Sequence, residues 1–507
     1  MEFYDLFYKW VPLYIRLPVL TLLYLVILTA NGVYPGNTAD MSAGSGNYAE
    51  PYTMAYYAVY IGMGIGSMTN IRIRERFSGK SLVLSGFIVM LVMNIVCATT
   101  NNPYLTIAAC LLLGMGKVAA STEIYLIWLQ VWSKKLDVSR LYPFVYFIAL
   151  GGIYSMTWLT SKLAYMYNWR YAYLSVVMLL LICIILTVIF VERHPLKRKV
   201  PLYQLDLPGI SLLMTFLMLI NYIIVYGKTE DWGRSVNIRT AAIASLVMLL
   251  LFIRRELSFK RPVFPLSLFK LYNFRFGLLY LFLLGIFVPA TLQASFSGGV
   301  LHYENYRNSE VTLYLIPGVT AGAAFCFYWF YRGYHDQLLM LIGISFLIVY
   351  EIMMYNSFGN SFAIDGFWLP SLVKGGGLGI LFIALGIYIT RGHTIKDVLT
   401  VVGISFLVRS FLGTAVFTAA YNYFIYTQRI RHLSYLGDLT DAAANPGVPG
   451  SGSADLFTVM QTQASLAAAK ELTGYIIIAG MVMAGALLTK ILHDGLISYF
   501  QKGAASD

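Results

Sequence analysis

The chain has 507 residues, of which 58% are hydrophobic and 12% are charged, and its mean hydropathy is +0.69. This composition excludes a soluble globular protein and indicates a polytopic membrane protein. The formal net charge of +12 would suggest nucleic-acid binding in a soluble chain. Here the basic residues lie in short segments between apolar runs, as cytoplasmic loops do, so we exclude nucleic acid as a partner.

A helix needs about 20 predominantly apolar residues to cross the hydrocarbon core of a bilayer. By this criterion we predict an all-α protein with fourteen membrane spans. We also predict that the chain has no cleavable signal peptide. Most of the 36 Lys and Arg residues lie at the termini or after even-numbered spans, which predicts that both termini are cytoplasmic. The predicted spans are residues 15–33, 52–71, 81–99, 104–128, 142–165, 171–191, 208–227, 237–254, 276–297, 311–331, 338–355, 367–389, 399–425 and 472–492.

Two sequence matches suggest an internal duplication. Residues 111–116 (LLLGMG) in span 4 resemble 372–377 (LVKGGG) in span 12, and 33–35 (VYP) resembles 287–289 (FVP) in span 9. Both offsets are eight spans, as expected for two six-helix halves with two helices inserted between them. The predicted division is an N-terminal half (1–200), two linker helices (201–262), and a C-terminal half (263–507) with an outer loop at 433–470 that ends in an amphipathic helix.

Span 4 is interrupted by glycines and charged residues that are candidates for helix packing and for a functional site. Gly114 and Gly116 would let another helix approach closely. A charge at the bilayer centre costs about 2.5–3.5 kcal/mol, so Lys117 should face the interior of the helix bundle or a wet cavity. Glu123 lies near the end of the span, and two interpretations stay open: a carboxylate solvated at the membrane boundary, and a proton carrier.

Two further cations lie within predicted spans. Lys374 in span 12 is either a cavity residue or a lysine that reaches the interface, and Arg409 in span 13 is either a cavity residue or a structural ion-pair partner. Glu351 in span 11 is interpreted as a structural partner. Because a buried lipophilic cation would need a carboxylate countercharge, the excess of cations favours an anionic or amphipathic substrate.

The cysteines and histidines give no sign of a metal or cofactor. All four cysteines lie within apolar runs, and the six histidines lie in loops or at span ends. We therefore expect buried thiols rather than disulfides, and no metal or haem site. No span combines a nucleophile with a base or carries paired carboxylates, which argues against a membrane-embedded enzyme.

Several short motifs follow one another along the chain: 31–35 (NGVYP), 76–80 (RFSGK), 114–116 (GMG), 168–171 (NWRY), 206–209 (DLPG), 226–232 (YGKTEDW) and 262–274, with Arg409 further on. Their order resembles the fourteen-helix drug:proton antiporter branch of the major facilitator superfamily. By this resemblance the motif residues with a structural role are Pro35, Arg76, Gly79, Gly114, Gly116, Gly375 and Gly377.

The resemblance implies the major facilitator fold, with six, two and six helices, and proton-coupled efflux by alternating access across a bacterial inner membrane. The implied substrate and proton pathway residues are Lys117, Glu123, Lys374, Arg409, Asn31 and Gln293. Candidate partners are a small molecule, protons, membrane lipids, a periplasmic adaptor and an outer-membrane channel.

Two departures from the family pattern keep other functions open. Val26 and Cys110 stand where the family usually carries an Asp and an Arg, so its usual proton-coupling residues have no counterpart here. An uncoupled facilitator, a lipid flippase and a transport-dead sensor of transporter ancestry therefore remain alternatives.

Overall fold

The computed structural model describes residues 7–132, 138–193, 205–259, 262–264, 266–359, 362–439 and 453–504. Within these ranges the regular structure is helical, apart from one isolated bridge between Phe7 and Val191, so the prediction of an all-α protein is confirmed. The helices are α1 (Leu13–Thr29), α2 (Thr38–Ser45), α3 (Glu50–Arg74), α4 (Gly79–Thr99), α5 (Pro103–Trp132), α6 (Val138–Met166), α7 (Trp169–Phe190), α8 (Leu207–Tyr226), α9 (Val236–Ser258), α10 (Tyr272–Leu283), α11 (Thr291–Gly299), α12 (Asn305–Val311), α13 (Leu315–Arg332), α14 (Asp336–Ser357), α15 (Trp368–Thr390), α16 (Ile395–Phe406), α17 (Thr414–Leu439) and α18 (Ser453–Ala504).

Twelve helical segments of the described chain are long and apolar enough to cross a membrane. α1 is a shorter apolar helix, and the 25-residue α3 is not among the twelve. All fourteen predicted spans coincide with helical segments, but two of them fall on α1 and α3. The number of fourteen crossings therefore stays a prediction.

Some spans that the sequence suggests as single helices are interrupted. Residues 276–297 divide into α10 and α11 before and after Pro289, whose backbone has no N–H to continue a helix. Residues 399–425 divide into α16 and α17, which are joined by a π-helical segment at Leu407–Gly413. Such π segments are rare and occur frequently at functional sites.

The described parts of the predicted outer loop at 433–470 are helical, so the helix predicted at its end is present and the helical residues 433–439 correct the sequence interpretation. Residues 433–439 complete α17, residues 453–470 begin α18, and 440–452 lie outside the described residues. His432 Nε2 lies 3.3 Å from Glu471 Oε2 and links the two helices. α18 has 52 residues and is about 78 Å long at 1.5 Å per residue, which exceeds the hydrocarbon thickness of about 30 Å more than twofold.

The chain forms two compact units. The first unit comprises residues 1–285 and 386–419, and the second comprises 286–385 and 420–507. This division differs from the boundaries expected from the sequence, because α16 and the π segment pack with the first unit. The six-two-six arrangement remains a prediction.

In the first unit, α5 packs tightly against both α3 and α4 through glycines. A methyl group on Gly62 of α3 would overlap the Leu111 carbonyl of α5, and one on Gly114 of α5 would overlap the Val59 carbonyl of α3. On the other side of α5, a Cβ on Gly86 of α4 would lie 2.6 Å from the Gly116 carbonyl oxygen. Glycine is required at these positions because backbone atoms occupy the space of a side chain.

The second unit repeats this packing in the same register. A methyl group on Gly318 of α13 would overlap the Leu372 carbonyl of α15, and one on Gly375 would overlap the Leu315 carbonyl of α13. Gly377 of α15 approaches α14, where a Cβ would lie 3.1 Å from the Gly343 carbonyl oxygen. Helices α3, α4 and α5 thus have counterparts in α13, α14 and α15, at the offset of eight spans that the sequence match indicates.

Candidate functional site

Lys117 lies on α5 and its ammonium caps the end of α1. The residue is 3% exposed, and its Nζ donates to the Leu28 carbonyl at 3.0 Å and to Asn31 Oδ1 at 2.6 Å. α1 ends at Thr29, so the Leu28 carbonyl belongs to the last turn, where carbonyls lack intrahelical partners and carry partial negative charge. Neither oxygen that holds the ammonium carries a full charge.

The NGVYP segment (residues 31–35) follows the end of α1 and satisfies some of its backbone groups. Tyr34 OH receives a hydrogen bond from the Asn31 backbone N–H at 3.1 Å and donates to the Thr29 carbonyl at 3.2 Å. Tyr173 of α7 donates to the Gly32 carbonyl at 2.6 Å. Cys110 occupies the space where a Gly32 side chain would project. These neutral contacts explain why the chain leaves the helix here and presents its carbonyls to Lys117.

Arg409 lies in the π-helical segment of the first unit. Its guanidinium donates to Tyr146 OH at 2.9 Å and lies 5.5 Å from the Tyr146 ring centroid and 5.3 Å from that of Phe406. Tyrosines of α1, α3 and α6 lie within electrostatic range of it: Tyr24, Tyr60, Tyr142 and Tyr154. An arginine among aromatic rings can combine cation–π contacts with hydrogen bonds to an anion.

Two buried donors on α5 lie near this aromatic cluster. Trp128 contacts the Tyr24 ring at 4.9 Å, and its Nε1 has no hydrogen-bond acceptor among the described residues. Tyr125 OH is also buried without a partner in the described part of the chain, and it lies within electrostatic range of Tyr24 and Tyr146. Leaving a buried donor unsatisfied costs about 1–3 kcal/mol, which a ligand with acceptor oxygens would recover. The sequence shows many tyrosines but does not show which of them gather around Arg409.

Glu123 is buried and paired with a cation, so the interpretation of a carboxylate solvated at the membrane boundary is wrong. Arg74 Nε lies 2.5 Å from Glu123 Oε1, and the two side chains are 16% and 6% exposed. The pair joins the last turn of α3 to α5. Its first role is therefore to hold these helices together.

We expect that Glu123→Gln destabilises the protein, because it leaves the Arg74 guanidinium without its charge partner. Breaking a buried ion pair costs about 3–5 kcal/mol, and partial exposure of Arg74 reduces this figure. Adding Arg74→Gln should cost less than the sum of the two single substitutions. Thermal unfolding in detergent of the four proteins of this double-mutant cycle measures the coupling, which should fall within about 0.5–3 kcal/mol. Additive losses would contradict the pairing.

In the second unit, Lys374 and Glu351 are both buried. Lys374 of α15 places its Nζ 4.8 Å from the Tyr350 ring centroid, and Glu351 of α14 is close enough to interact with it electrostatically. Lys374 therefore does not reach the membrane interface. Gln293 of α11 donates to Asn308 Oδ1 at 3.2 Å, so it takes part in a neutral polar contact.

The remaining motif residues have structural positions. Pro35 opens a short 3₁₀ turn after α1, and Gly79 is the first residue of α4, whose N-cap is Ser78. Arg76 lies in the turn between α3 and α4. Among the described residues no group of three or more His, Cys, Asp or Glu is close enough to hold a metal ion.

Comparison with protein families decides the fold family. The profile described as Major Facilitator Superfamily matches residues 19–418. The chain belongs to the major facilitator superfamily. The repeated glycine packing of α3–α5 and α13–α15 is therefore part of a major facilitator fold, and the superfamily that the sequence motifs indicate is confirmed.

Curated relatives of this major facilitator protein include drug-resistance and export proteins. It is 26% identical over 220 residues to a methylenomycin A resistance protein of Bacillus subtilis (strain 168), which covers 40% of this chain and 42% of that protein. It is 27% identical over 293 residues to the multidrug export protein EmrB of Haemophilus influenzae, which covers 54% of each chain. The chain thus spans about half the length of the curated relatives that it matches.

Solved structures of transporters share the fold. The nucleoside transporter NupG aligns with a TM-score of 0.55 at 11% identity, covering 92% of this chain and 99% of that chain. The human organic anion transporter MFSD10 aligns with a TM-score of 0.54 at 12% identity, covering 93% and 99%. At such low identity these likenesses show the fold alone.

Proposed function

We propose that this transporter exports a small amphipathic anion in exchange for protons, by alternating access. The observation that carries the proposal is the buried ammonium of Lys117, which is held by two uncharged oxygens, the Leu28 carbonyl and Asn31 Oδ1. A buried cation without a full countercharge is costly in an apolar environment, and an anionic ligand would supply that charge.

The aromatic surroundings of Arg409 suit the apolar part of such a ligand. The rings of Tyr146 and Phe406 flank the guanidinium, and the unpartnered donors of Tyr125 and Trp128 lie on α5, the same helix as Lys117. Small-molecule sites are mostly apolar with a few convergent polar groups. An aromatic compound that carries one acidic group fits this combination of rings, donors and cations.

The direction of transport rests on the relatives. A methylenomycin A resistance protein and a multidrug export protein are both named for removing or resisting toxic compounds, which favours efflux here. We expect the chain to lie in the cytoplasmic membrane of a bacterium with both termini in the cytoplasm. A periplasmic adaptor and an outer-membrane channel remain candidate partners.

The proposal is tested with purified protein in proteoliposomes and two probes that share one ring system. Naphthalene-2-sulfonate is a permanent anion, and naphthyltrimethylammonium is a permanent cation, so neither crosses the bilayer readily as a neutral form. We expect an imposed pH gradient to drive accumulation of the sulfonate but not of the ammonium compound, with proton movement that follows the sulfonate.

Other outcomes point to the alternatives. Sulfonate flux that does not respond to the pH gradient would identify an uncoupled facilitator, and movement of labelled phospholipid between leaflets would identify a flippase. Binding of the sulfonate without flux would indicate a sensor. Accumulation of the cation instead of the anion would contradict the proposed substrate class.

A further inference from the structure

Glu351 of α14 is a buried carboxylate with an unsatisfied oxygen. The residue is 3% exposed, and Oε2 has no hydrogen-bond donor among the described residues. The charged side chain that interacts with it electrostatically is Lys374 of α15. Lys374 is 6% exposed, and its ammonium faces the Tyr350 ring. A buried carboxylate oxygen without a donor is unfavourable, and a bound proton removes both the charge and the unsatisfied acceptor.

The internal repeat shows that the fold does not need this pair. Gly343 of α14 corresponds to Gly86 of α4, and Gly375 of α15 corresponds to Gly114 of α5, because each makes the equivalent backbone approach. Counting from these glycines, Glu351 corresponds to Asn94 and Lys374 to Leu113.

In the first unit the corresponding side chains are uncharged. Asn94 is fully buried and donates to the Met90 carbonyl of its own helix at 2.8 Å, and Leu113 is fully buried. α4 and α5 nevertheless pack as closely as α14 and α15 do. A charged pair that the same packing can omit is better explained by function than by stability, since burying two charges is expensive.

We propose that Glu351 is the proton-carrying carboxyl of this transporter and that Lys374 is its countercharge when the proton has left. The inference rests on the proposed proton-coupled transport. In the binding step a proton from water on one side of the membrane forms an O–H bond at the Glu351 carboxylate, which becomes neutral. In the release step that bond breaks and the proton passes to water on the other side. Lys374 stays an ammonium throughout.

The other elements that pack against this part of α14 add little charge. Tyr421 of α17 is within electrostatic range of Glu351, and its hydroxyl donates to the Ile286 carbonyl at 2.7 Å. α18 packs along α14 near Gly480. Between residues 473 and 489 of α18 the titratable residue is Tyr475, which is 54% exposed and contacts the Phe424 ring. Protonation of Glu351 is therefore opposed mainly by Lys374.

The first test is independent of substrate. Infrared difference spectra of the whole protein between acidic and alkaline buffer are recorded for the wild type and for Glu351→Gln. We expect a carboxylic acid C=O component that titrates in the wild type and is missing from Glu351→Gln, while the other Asp and Glu side chains contribute C=O bands to both proteins. Asn94→Leu, at the corresponding position of the first unit, should keep the band. A band of equal size in Glu351→Gln overturns the assignment.

The second test measures transport in proteoliposomes. For Glu351→Gln we expect accumulation of naphthalene-2-sulfonate under a pH gradient to fall at least about tenfold, while exchange of labelled for unlabelled sulfonate without net proton movement is retained. Glu351→Asp should keep part of the coupling. If Glu351→Gln moves protons and accumulates the sulfonate as the wild type does, the inference is overturned.

The two proposals fail in different ways. If the wild type shows no sulfonate movement under a pH gradient, the proposed function is contradicted, while the infrared band still decides whether Glu351 binds the proton. If Glu351→Gln does not fold, the double variant Glu351→Asn with Lys374→Leu replaces it in both tests. That variant has the same residues as the neutral pair at the corresponding positions of the first unit, Asn94 and Leu113.

Discussion

Replacing Lys117 with methionine is expected to lower transport of naphthalene-2-sulfonate by about 10- to 100-fold. The ammonium is the buried cation that the proposal assigns to the anionic group, and a hydrogen bond to a charged group contributes about 1.5–3 kcal/mol. Each 1.4 kcal/mol corresponds to about a tenfold change in affinity. The measurement is initial uptake into proteoliposomes over a range of sulfonate concentrations, so that binding and turnover are separated.

A structural role of Lys117 is separated from a binding role by Asn31→Asp. Aspartate has almost the shape of asparagine, and its carboxylate would give the ammonium a full countercharge at the same 2.6 Å contact. If Lys117 only caps α1, this change should preserve transport and stabilise the protein. If Lys117 binds the substrate anion, the change should abolish sulfonate uptake in a protein that unfolds at or above the wild-type temperature.

Lys162→Met is the matched control for Lys117→Met. Lys162 lies on α6 of the same unit, but its side chain is exposed and its Nζ lies 4.9 Å from the Trp158 ring centroid. Removing this ammonium changes the net charge by the same amount without touching the end of α1. We expect wild-type uptake. Equal losses in both lysine variants would show that net charge, rather than the Lys117 position, controls anion transport.

Gly114→Ala and Gly375→Ala are each expected to destabilise the protein strongly. The added methyl group would overlap a backbone carbonyl of the neighbouring helix, Val59 in the first unit and Leu315 in the second. Backbone cannot move aside as a flexible side chain can, so the helices must separate and lose contacts along their length. Overpacking of a tight interior costs typically about 1–3 kcal/mol. Thermal unfolding in detergent should show a midpoint several degrees lower.

Gly474→Ala provides the control, because among the described residues no atom outside its own stretch of helix lies within 4 Å of the position its methyl group would take. Alanine is favoured over glycine in a helix interior by about 0.8–1.0 kcal/mol, so this variant should unfold at the wild-type temperature or above. A wild-type midpoint for Gly114→Ala would show that α3 and α5 do not approach so closely.

The helix positions follow from the sequence because few backbone conformations are stable in lipid. A backbone in hydrocarbon must satisfy its own hydrogen bonds, so apolar runs of sufficient length become helices. The interruptions at Pro289 and at the π segment around Arg409 depend on packing against other helices, which a run of apolar residues does not record. The helical start of the predicted outer loop, residues 433–439, is not indicated by the sequence because its polar residues resemble a linker.

The candidate site was only partly predictable. A charge inside an apolar run is a strong signal, and it selects Lys117, Lys374 and Arg409. It does not reveal the partner: Asn31 is 86 residues away from Lys117 in the chain. The sequence leaves the surroundings of Glu123 open because its partner Arg74 belongs to a basic segment that also fits a topology signal.

The role proposed for Glu351 needed the internal repeat. The sequence match between residues 111–116 and 372–377 suggests that α4 and α14 also correspond. If Gly86 is aligned with Gly343, Asn94 is aligned with Glu351. Without the backbone contacts of these glycines the register between α4 and α14 is arbitrary. The unsatisfied Glu351 oxygen is visible only when the surrounding helices are in position.

The continuous α18 has a mechanical consequence. Phe457 near its start is half exposed, and Gly480, about 35 Å further along at 1.5 Å per residue, contacts Ile348 of α14 three residues before Glu351. Because an uninterrupted helix resists bending, a load applied to Phe457 is delivered to the neighbourhood of that carboxylate. Within the second unit, α18 thus connects the region of Phe457 to that of Glu351 through one continuous helix.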